Sequence, residues 1–116
     1  MRSFWDSFLS IVNSYPNNIA IKEGNKEISY KDLANLAAAM GQRLQAQNLP
    51  PETLMAIEIE KSSEYIIAML GCWYAGVAFI PLPPYSLPQE RRDYIARNAN
   101  INNYITIDDI KKLNAS

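Results

Sequence analysis

The stretch that decides the fold is SSEYIIAMLGCWYAGVAFIPLPPYSLPQERR, from Ser62 to Arg92. Its first half, Glu64 to Tyr74, repeats apolar residues at the i, i+4, i+7 spacing of a buried helix, and Ser62 or Ser63 can cap the start of that helix. Gly76 interrupts the period, because glycine best tolerates the left-handed conformation that ends a helix. The stretch therefore predicts a buried helix that stops at a tight turn.

The residues around this helix predict two strands. Val77 to Leu82 is an apolar run with a strand-like composition, and Pro81 acts as a strand stop together with the two prolines that follow it, since proline removes a backbone donor. Leu54 to Ile59 predicts another strand before the helix. Strand, helix and strand form a βαβ unit, whose two strands lie parallel in one sheet.

The chain before this unit predicts two helices and a hairpin. Ser3 to Asn13 has the spacing of an amphipathic helix, and Gly24-Asn25 supplies the two-residue turn of a hairpin between Ile19-Ala20-Ile21 and Glu27-Ile28. Ser29 can cap a second helix, with Asp32 three residues on. The first helix is expected to bury Phe4, Phe8, Ile11 and Val12, and the second to bury Leu33, Leu36, Ala37, Met40 and Leu44.

The chain after the unit predicts a helix, a strand and a short last helix. Pro88 to Asn98 is expected to be helical with Tyr94 and Ile95 facing inward, and Asn103 to Ile107 is expected to be a strand. Asp108 or Asp109 can cap a final helix over Ile110 to Leu113. The fold class expected for residues 1–116 is therefore α/β: a partial, doubly wound, mainly parallel sheet flanked by helices, with an N-terminal helix and a small hairpin.

Composition excludes several kinds of site. The chain has 116 residues, a net charge of −1 and no histidine. It therefore holds no Ser-His-Asp or Cys-His nucleophile, and the balanced charge gives no electrostatic case for nucleic acid. The single cysteine, Cys72, lies inside the apolar helix, where a small buried hydrophobe in a reducing compartment is favoured over a reactive thiol.

The uncharged segment from Tyr65 to Leu82 is long enough to raise the question of a membrane span. Its glycines, its prolines and the change of period at Gly76 favour two buried elements of a globular core instead. The first residues have no uninterrupted apolar core and do not resemble a signal peptide. We therefore expect no membrane partner and a cytoplasmic location.

Two ordered blocks resemble the AMP-forming adenylating enzymes. One block is Ile28-Ser29-Tyr30-Lys31-Asp32-Leu33. The other runs from Ala75-Gly76 through Ala78-Phe79-Ile80-Pro81-Leu82 and Pro84-Tyr85 to Pro88-x-Glu90-Arg91. That superfamily includes nonribosomal peptide synthetase adenylation domains, D-alanine–carrier-protein ligases and acyl-CoA and fatty-acyl-AMP ligases. Pro83 stands where an acidic residue is often found, and the blocks leave open whether an amino acid or a fatty acid is activated.

The resemblance implies an enzyme that joins ATP to a carboxylic acid with Mg²⁺ and passes the acyl group to a carrier protein's phosphopantetheine or to CoA. The family's phosphate loop, its later acidic residues and its C-terminal lysine are not in this sequence, so the chain alone is expected to bind no ATP or metal and to be inactive. The remainder of the adenylation domain would be its partner. Six residues are singled out as fold support rather than chemistry: Ser29, Tyr30, Asp32, Gly76, Pro81 and Arg91.

Some alternatives remain at this stage. The side chain of Arg91 is suited to binding an anion as well as to making a structural contact. Two other hypotheses stay open: the chain is a stand-alone non-catalytic binding or regulatory module, or it is one half of a split enzyme. In each case the sheet would have an exposed edge, for which self-association or instability is the expected consequence.

Overall fold

The computed structural model describes residues 3–114. The helices are α1 (Phe4–Ser14), α2 (Tyr30–Ala46), α3 (Ser63–Ala75), α4 (Gln89–Asn98) and α5 (Ile107–Lys111), and a 3-10 turn, Lys112–Asn114, follows α5. The strands are β1 (Ile19–Glu23), β2 (Lys26–Ser29), β3 (Leu54–Glu58), β4 (Ala78–Pro81) and β5 (Asn103–Thr106). The elements follow the predicted order along the chain.

The main sheet has three parallel strands in the order β4-β3-β5. Successive side chains of β3 point to opposite faces of the sheet. Met55 and Ile57 join the larger apolar cluster with α2 and α3, whereas Ala56 joins a smaller cluster that includes Ile95 of α4. Helices therefore cover both faces, which confirms the predicted α/β class. The hairpin of β1 and β2 is antiparallel and forms a separate two-stranded sheet.

Helices α2 and α3 approach each other closely because each contributes a glycine to the contact. A Cβ atom added at Gly71 would lie 2.7 Å from Cγ and 2.9 Å from Cβ of Met40, and one added at Gly41 would overlap the side chain of Tyr74. Gly76 then closes α3 in the left-handed conformation, with φ at 71°. The predicted helix stop is therefore present, and the next strand starts two residues later.

The apolar face predicted for α1 is wrong in part. Val12 is buried, and Trp5 and Phe8 pack against the larger cluster, but Phe4 is 70% exposed and Ile11 is 45% exposed. The inward face is rotated because Trp5 makes an edge contact with Tyr74, at a ring distance of 5.0 Å. Phe4 remains at the rim of the core and stacks on Trp73.

The boundary between β5 and α5 also differs from the prediction. Ile107 is the first residue of α5 and not the last of the strand, and the helix ends at Lys111. Thr106 is the N-cap of this helix, and the reciprocal bond of a capping box is present, in which the N–H of Thr106 donates to Asp109 Oδ2 at 2.8 Å. Asp108 and Asp109, the two predicted caps, are therefore the second and third residues of the helix, and the predicted range of 110–113 was too late.

The inward face predicted for α4 is half right. Ile95 and Ala99 pack on the smaller cluster, but Tyr94 is 56% exposed. The two residues that pack on the sheet, Ile95 and Ala99, are four positions apart and so lie on the same side of the helix. Tyr94 lies about 100° around the helix axis from Ile95 and therefore points away from the sheet. No helix between residues 3 and 114 combines the length and apolarity needed to cross a bilayer.

Candidate functional site

The carboxyl ends of β3 and β4 lie side by side, and this is the edge at which open α/β sheets bind ligands. A groove of about 540 Å³ opens there and is called here the carboxyl-edge groove. Its walls are mostly apolar, and its charged side chains are Glu60 and Lys61. It is lined by Ile59, Glu60, Lys61, Tyr65, Ile66, Pro81, Pro83 and Ser86.

Glu60 is the carboxylate that lines this groove, and it accepts two backbone hydrogen bonds. Its Oε2 accepts the backbone N–H of Tyr85 at 2.7 Å and that of Ser86 at 3.1 Å. The hydrogen bond from Tyr85 lowers the pKa of Glu60, with further lowering by Ser86 and by the charge of Arg92, against the opposing effect of burial. Glu60 is therefore ionised at neutral pH and binds the loop after β4.

Two arginines follow one another on α4 but have different surroundings. Arg92 donates from Nε to the carbonyl of Leu87 at 3.2 Å, and its Nη1 lies 4.0 Å from Glu58 Oε2. Arg91, the arginine singled out from the sequence, is exposed on α4. The sequence reasoning therefore missed Glu60 and Arg92, because their partners are known only once β3 and β4 are placed side by side.

Three of the predicted residues lie together at the start of α2. Ser29 Oγ accepts the backbone N–H of Asp32 at 3.1 Å. The N–H of Tyr30 donates to the carbonyl of Asn18 at 3.0 Å, which joins the helix start to the chain before the hairpin. The side chain of Asp32 is exposed. These contacts are local and backbone-directed.

The other predicted residues are spread over separate elements. Gly76 lies at the end of α3, Pro81 is the last residue of β4 and lines the carboxyl-edge groove, and Arg91 lies on α4. The fold therefore does not bring the six residues into one site. Only Pro81 reaches the groove at the carboxyl edge.

A second, more polar groove of about 400 Å³ lies beside the hairpin, where Lys26 Nζ is 3.9 Å from Glu64 Oε1. Burial alone would raise the pKa of Glu64, but hydrogen bonds from its own backbone and from Ser63, together with the charge of Lys26, leave that pKa lowered. Asp32 lines the same groove. Three acidic and two basic side chains line this groove, Glu27, Asp32, Glu64, Lys26 and Lys111.

A third groove, of about 520 Å³, is apolar and lies between α1, α3 and β4. Phe4, Trp73 and Phe79 are its large side chains, and Cys72 lies at its base. Burial raises the pKa of the Cys72 thiol to about 12, so the thiol is neutral and a poor nucleophile near pH 7.

Residues 3–114 contain no group of three or more His, Cys, Asp or Glu residues able to hold a metal ion. The glycines, at positions 24, 41, 71 and 76, are at least five positions apart, unlike the closely spaced glycines of a flexible phosphate loop.

Comparison with known proteins agrees with the fold and with the two sequence blocks. The profile of the family described as AMP-binding enzyme matches residues 8–116. One subunit of the linear gramicidin synthase of Brevibacillus parabrevis is 34% identical over 107 residues, which are 92% of this chain and 1% of that protein. The chain thus spans a very small part of the length of this relative.

Solved structures show the same arrangement of helices and strands. The N-terminal subdomain of Klebsiella oxytoca NpsA in complex with anthranilyl-AMSN has a TM-score of 0.83 and 26% identity, over 93% of this chain and 28% of that one. NpsA-ThdA, an artificially fused adenylation–PCP di-domain nonribosomal peptide synthetase from Klebsiella oxytoca, has a TM-score of 0.83 and 25% identity, over 91% and 20% of the two chains. With the profile match over 8–116, these findings confirm the resemblance first carried by Ile28–Leu33 and Ala75–Arg91: the chain belongs to the AMP-binding enzyme family.

Proposed function

We propose that residues 1–116 form the N-terminal portion of the large domain of an adenylating enzyme. The whole enzyme activates an amino acid or another carboxylic acid with ATP to an acyl-adenylate and passes the acyl group to a thiol. The observation that carries the proposal is the family match over residues 8–116, together with superposition on the N-terminal subdomain of NpsA. The relation to gramicidin synthase favours nonribosomal peptide synthesis as the setting.

The partners proposed for the chain follow from the same comparisons. The first is the remainder of the adenylation domain, because this chain corresponds to 28% of the NpsA subdomain. The second, for the whole enzyme, is a carrier protein, and the adenylation–PCP fusion supports this choice over CoA. We assign the enzyme to the cytoplasm.

We infer that this chain supplies scaffold and not chemistry. Adenylation needs donors and cations around the triphosphate as negative charge develops, and ATP with Mg²⁺ is assigned to the whole enzyme. The contacts of Ser29 and Asp32 at the start of α2, and the position of Gly76 at the end of α3, support a role in the fold. The same role is proposed for Tyr30, Pro81 and Arg91.

ATP–pyrophosphate exchange tests both parts of the proposal. The isolated 116-residue chain, assayed with the proteinogenic amino acids and with aromatic acids such as anthranilate, is expected to give no exchange above the blank. The same residues in a protein extended by the remainder of an adenylation domain are expected to give acid-dependent exchange. Exchange by the isolated chain would contradict the scaffold role. Failure of the extended protein with every acid would contradict the proposed activity.

A further inference from the structure

The loop between β4 and α4, residues 82–88, has few amide donors of its own. Three of its positions are prolines, Pro83, Pro84 and Pro88, which carry no N–H. The N–H of Leu82 is used by β3, since it donates to the carbonyl of Ile57 at 2.9 Å. The donors that remain belong to Tyr85, Ser86 and Leu87, and Glu60 accepts from the first two.

Arg92 holds the other end of the same loop. Its Nε donates to the carbonyl of Leu87 at 3.2 Å, and its Nη2 donates to Gln89 Oε1 at 2.6 Å. The loop is thus fixed by a carboxylate from the end of β3 and by a guanidinium from α4. Prolines stiffen the chain between these two points, so little of the loop's conformation depends on its own hydrogen bonds.

We propose that Glu60 is a positioning residue that holds the loop 82–88 in place and thereby forms the wall of the carboxyl-edge groove to which Pro83 and Ser86 contribute. This role rests on the proposed function, because the groove is of interest as part of an adenylating enzyme. It adds to that function a side chain that shapes this edge of the enzyme. The held loop also presents Tyr85, which is 88% exposed, at a fixed place beside the groove.

Loss of Glu60 should release the loop without unfolding the protein. Glu60 belongs to neither apolar cluster, whereas Ile57 and Ile59, which precede it, are core residues of the larger one. Leu87 also packs on the smaller cluster, so the part expected to open locally is the one between Leu82 and Leu87, where the N–H groups of Tyr85 and Ser86 donate to Glu60. Leu82, which is buried in the smaller cluster, anchors the near end of the loop in either case.

Amide hydrogen exchange of the full 116-residue chain, followed by NMR, tests the proposal. In Glu60→Ala the protection of the Tyr85 and Ser86 amides should fall roughly tenfold, as expected for loss of a charge-assisted acceptor that is partly exposed. In Glu60→Gln a part should remain, because the amide oxygen still accepts. Glu58→Gln is the matched control, since it removes the same charge from a side chain that lies beside Arg92 but accepts neither amide, so it also reports any effect transmitted through Arg92. The amides of β3 report on global stability.

The pH dependence of the same two amides separates positioning from simple structural support. Both amide proton resonances should shift as Glu60 titrates, at a pH below the usual glutamate value, because they bind its carboxylate directly. The other charged groups near the loop are Glu90, Arg91 and Arg92 of α4, Glu58 of β3 and Lys61, which lines the groove. The shift should disappear in Glu60→Gln and persist in Glu58→Gln.

Unchanged protection of Tyr85 and Ser86 in Glu60→Ala, or a titration that survives in Glu60→Gln, would overturn the positioning role. If Glu60→Ala does not fold, the pH titration of the wild-type chain against Glu60→Gln still decides the question. These measurements need no substrate. Their failure is therefore distinguishable from a failure of the extended protein to catalyse pyrophosphate exchange.

Discussion

Replacing Gly71 by alanine tests the close packing of α2 and α3. Two opposing effects must be compared. Alanine in a helix interior is favoured over glycine by about 1 kcal/mol. The added Cβ, however, would lie 2.7 Å from Cγ and 2.9 Å from Cβ of Met40, closer than real Cβ atoms come.

The second effect should be the larger one. Cγ of Met40 can move with its rotamer, but its Cβ is fixed to the backbone of α2, so the two helices must separate. Overpacking of this kind costs about 1–3 kcal/mol. After the gain in helix propensity is subtracted, we expect Gly71→Ala to lower the free energy of unfolding by about 1 kcal/mol and at most about 2 kcal/mol, measured by urea unfolding with the fluorescence of Trp5 and Trp73 as the signal.

A double-mutant cycle with Met40 shows whether the cost arises from this contact. The cost of Gly71→Ala should shrink in a Met40→Gly background, because glycine removes both the Cβ and the Cγ that the new methyl group would meet. Gly76→Ala is the control: its φ of 71° strains an alanine, but no neighbouring atom lies within 4 Å of the new Cβ, so its cost should not depend on Met40. A Gly71→Ala protein as stable as the wild type, or a cost independent of Met40, would refute the packing argument.

Three further predictions concern caps and burial. Ser29→Ala should lower the free energy of unfolding by about 1 kcal/mol in urea, because it removes the N-cap of α2. Cys72 should resist thiol reagents at pH 8 until the protein is unfolded. Burial raises the pKa of Cys72 from about 9 to about 12, so the stability that depends on its neutral form is fully present below pH 9 and is lost as the pH rises toward 12. The Cys72→Ala variant should lose less stability over this pH range, as measured by urea unfolding. Glu23→Ala should cost about 1–2 kcal/mol by removing the acceptor of the N–H of Ser63, which is 1% exposed, whereas the surface variant Glu27→Ala should cost under about 0.5 kcal/mol.

The parts of the fold that could be predicted from the sequence are those set by local pattern. The apolar spacing of α2 and α3 requires only a helix period, and the turn at Gly24-Asn25 requires only residues that tolerate its backbone conformation. Each of these signals lies within a few residues of its effect. For this reason the order of elements and the parallel sheet were predicted correctly.

The parts that failed depend on contacts between distant residues. The rotation of α1 is set by the contact of Trp5 with Tyr74, which no local window contains. The role of Glu60 is similar, since its partner Tyr85 lies 25 residues away and comes within reach only when β4 pairs beside β3. The end of β5 is the intermediate case, because Asp109 could have been read as the third residue of a helix capped by Thr106.

The acidic side chains of this chain are consistent with the structural role proposed for it. Glu23, Glu60 and Asp109 each accept a backbone N–H, from Ser63, Tyr85 and Thr106 respectively. A carboxylate that satisfies backbone donors is held in one geometry and has fewer lone pairs left for a metal ion or a proton in transfer. These three acidic residues join the hairpin to α3, β3 to the loop after β4, and β5 to α5. Their placement therefore supports the proposal that this chain contributes scaffold rather than reactive groups.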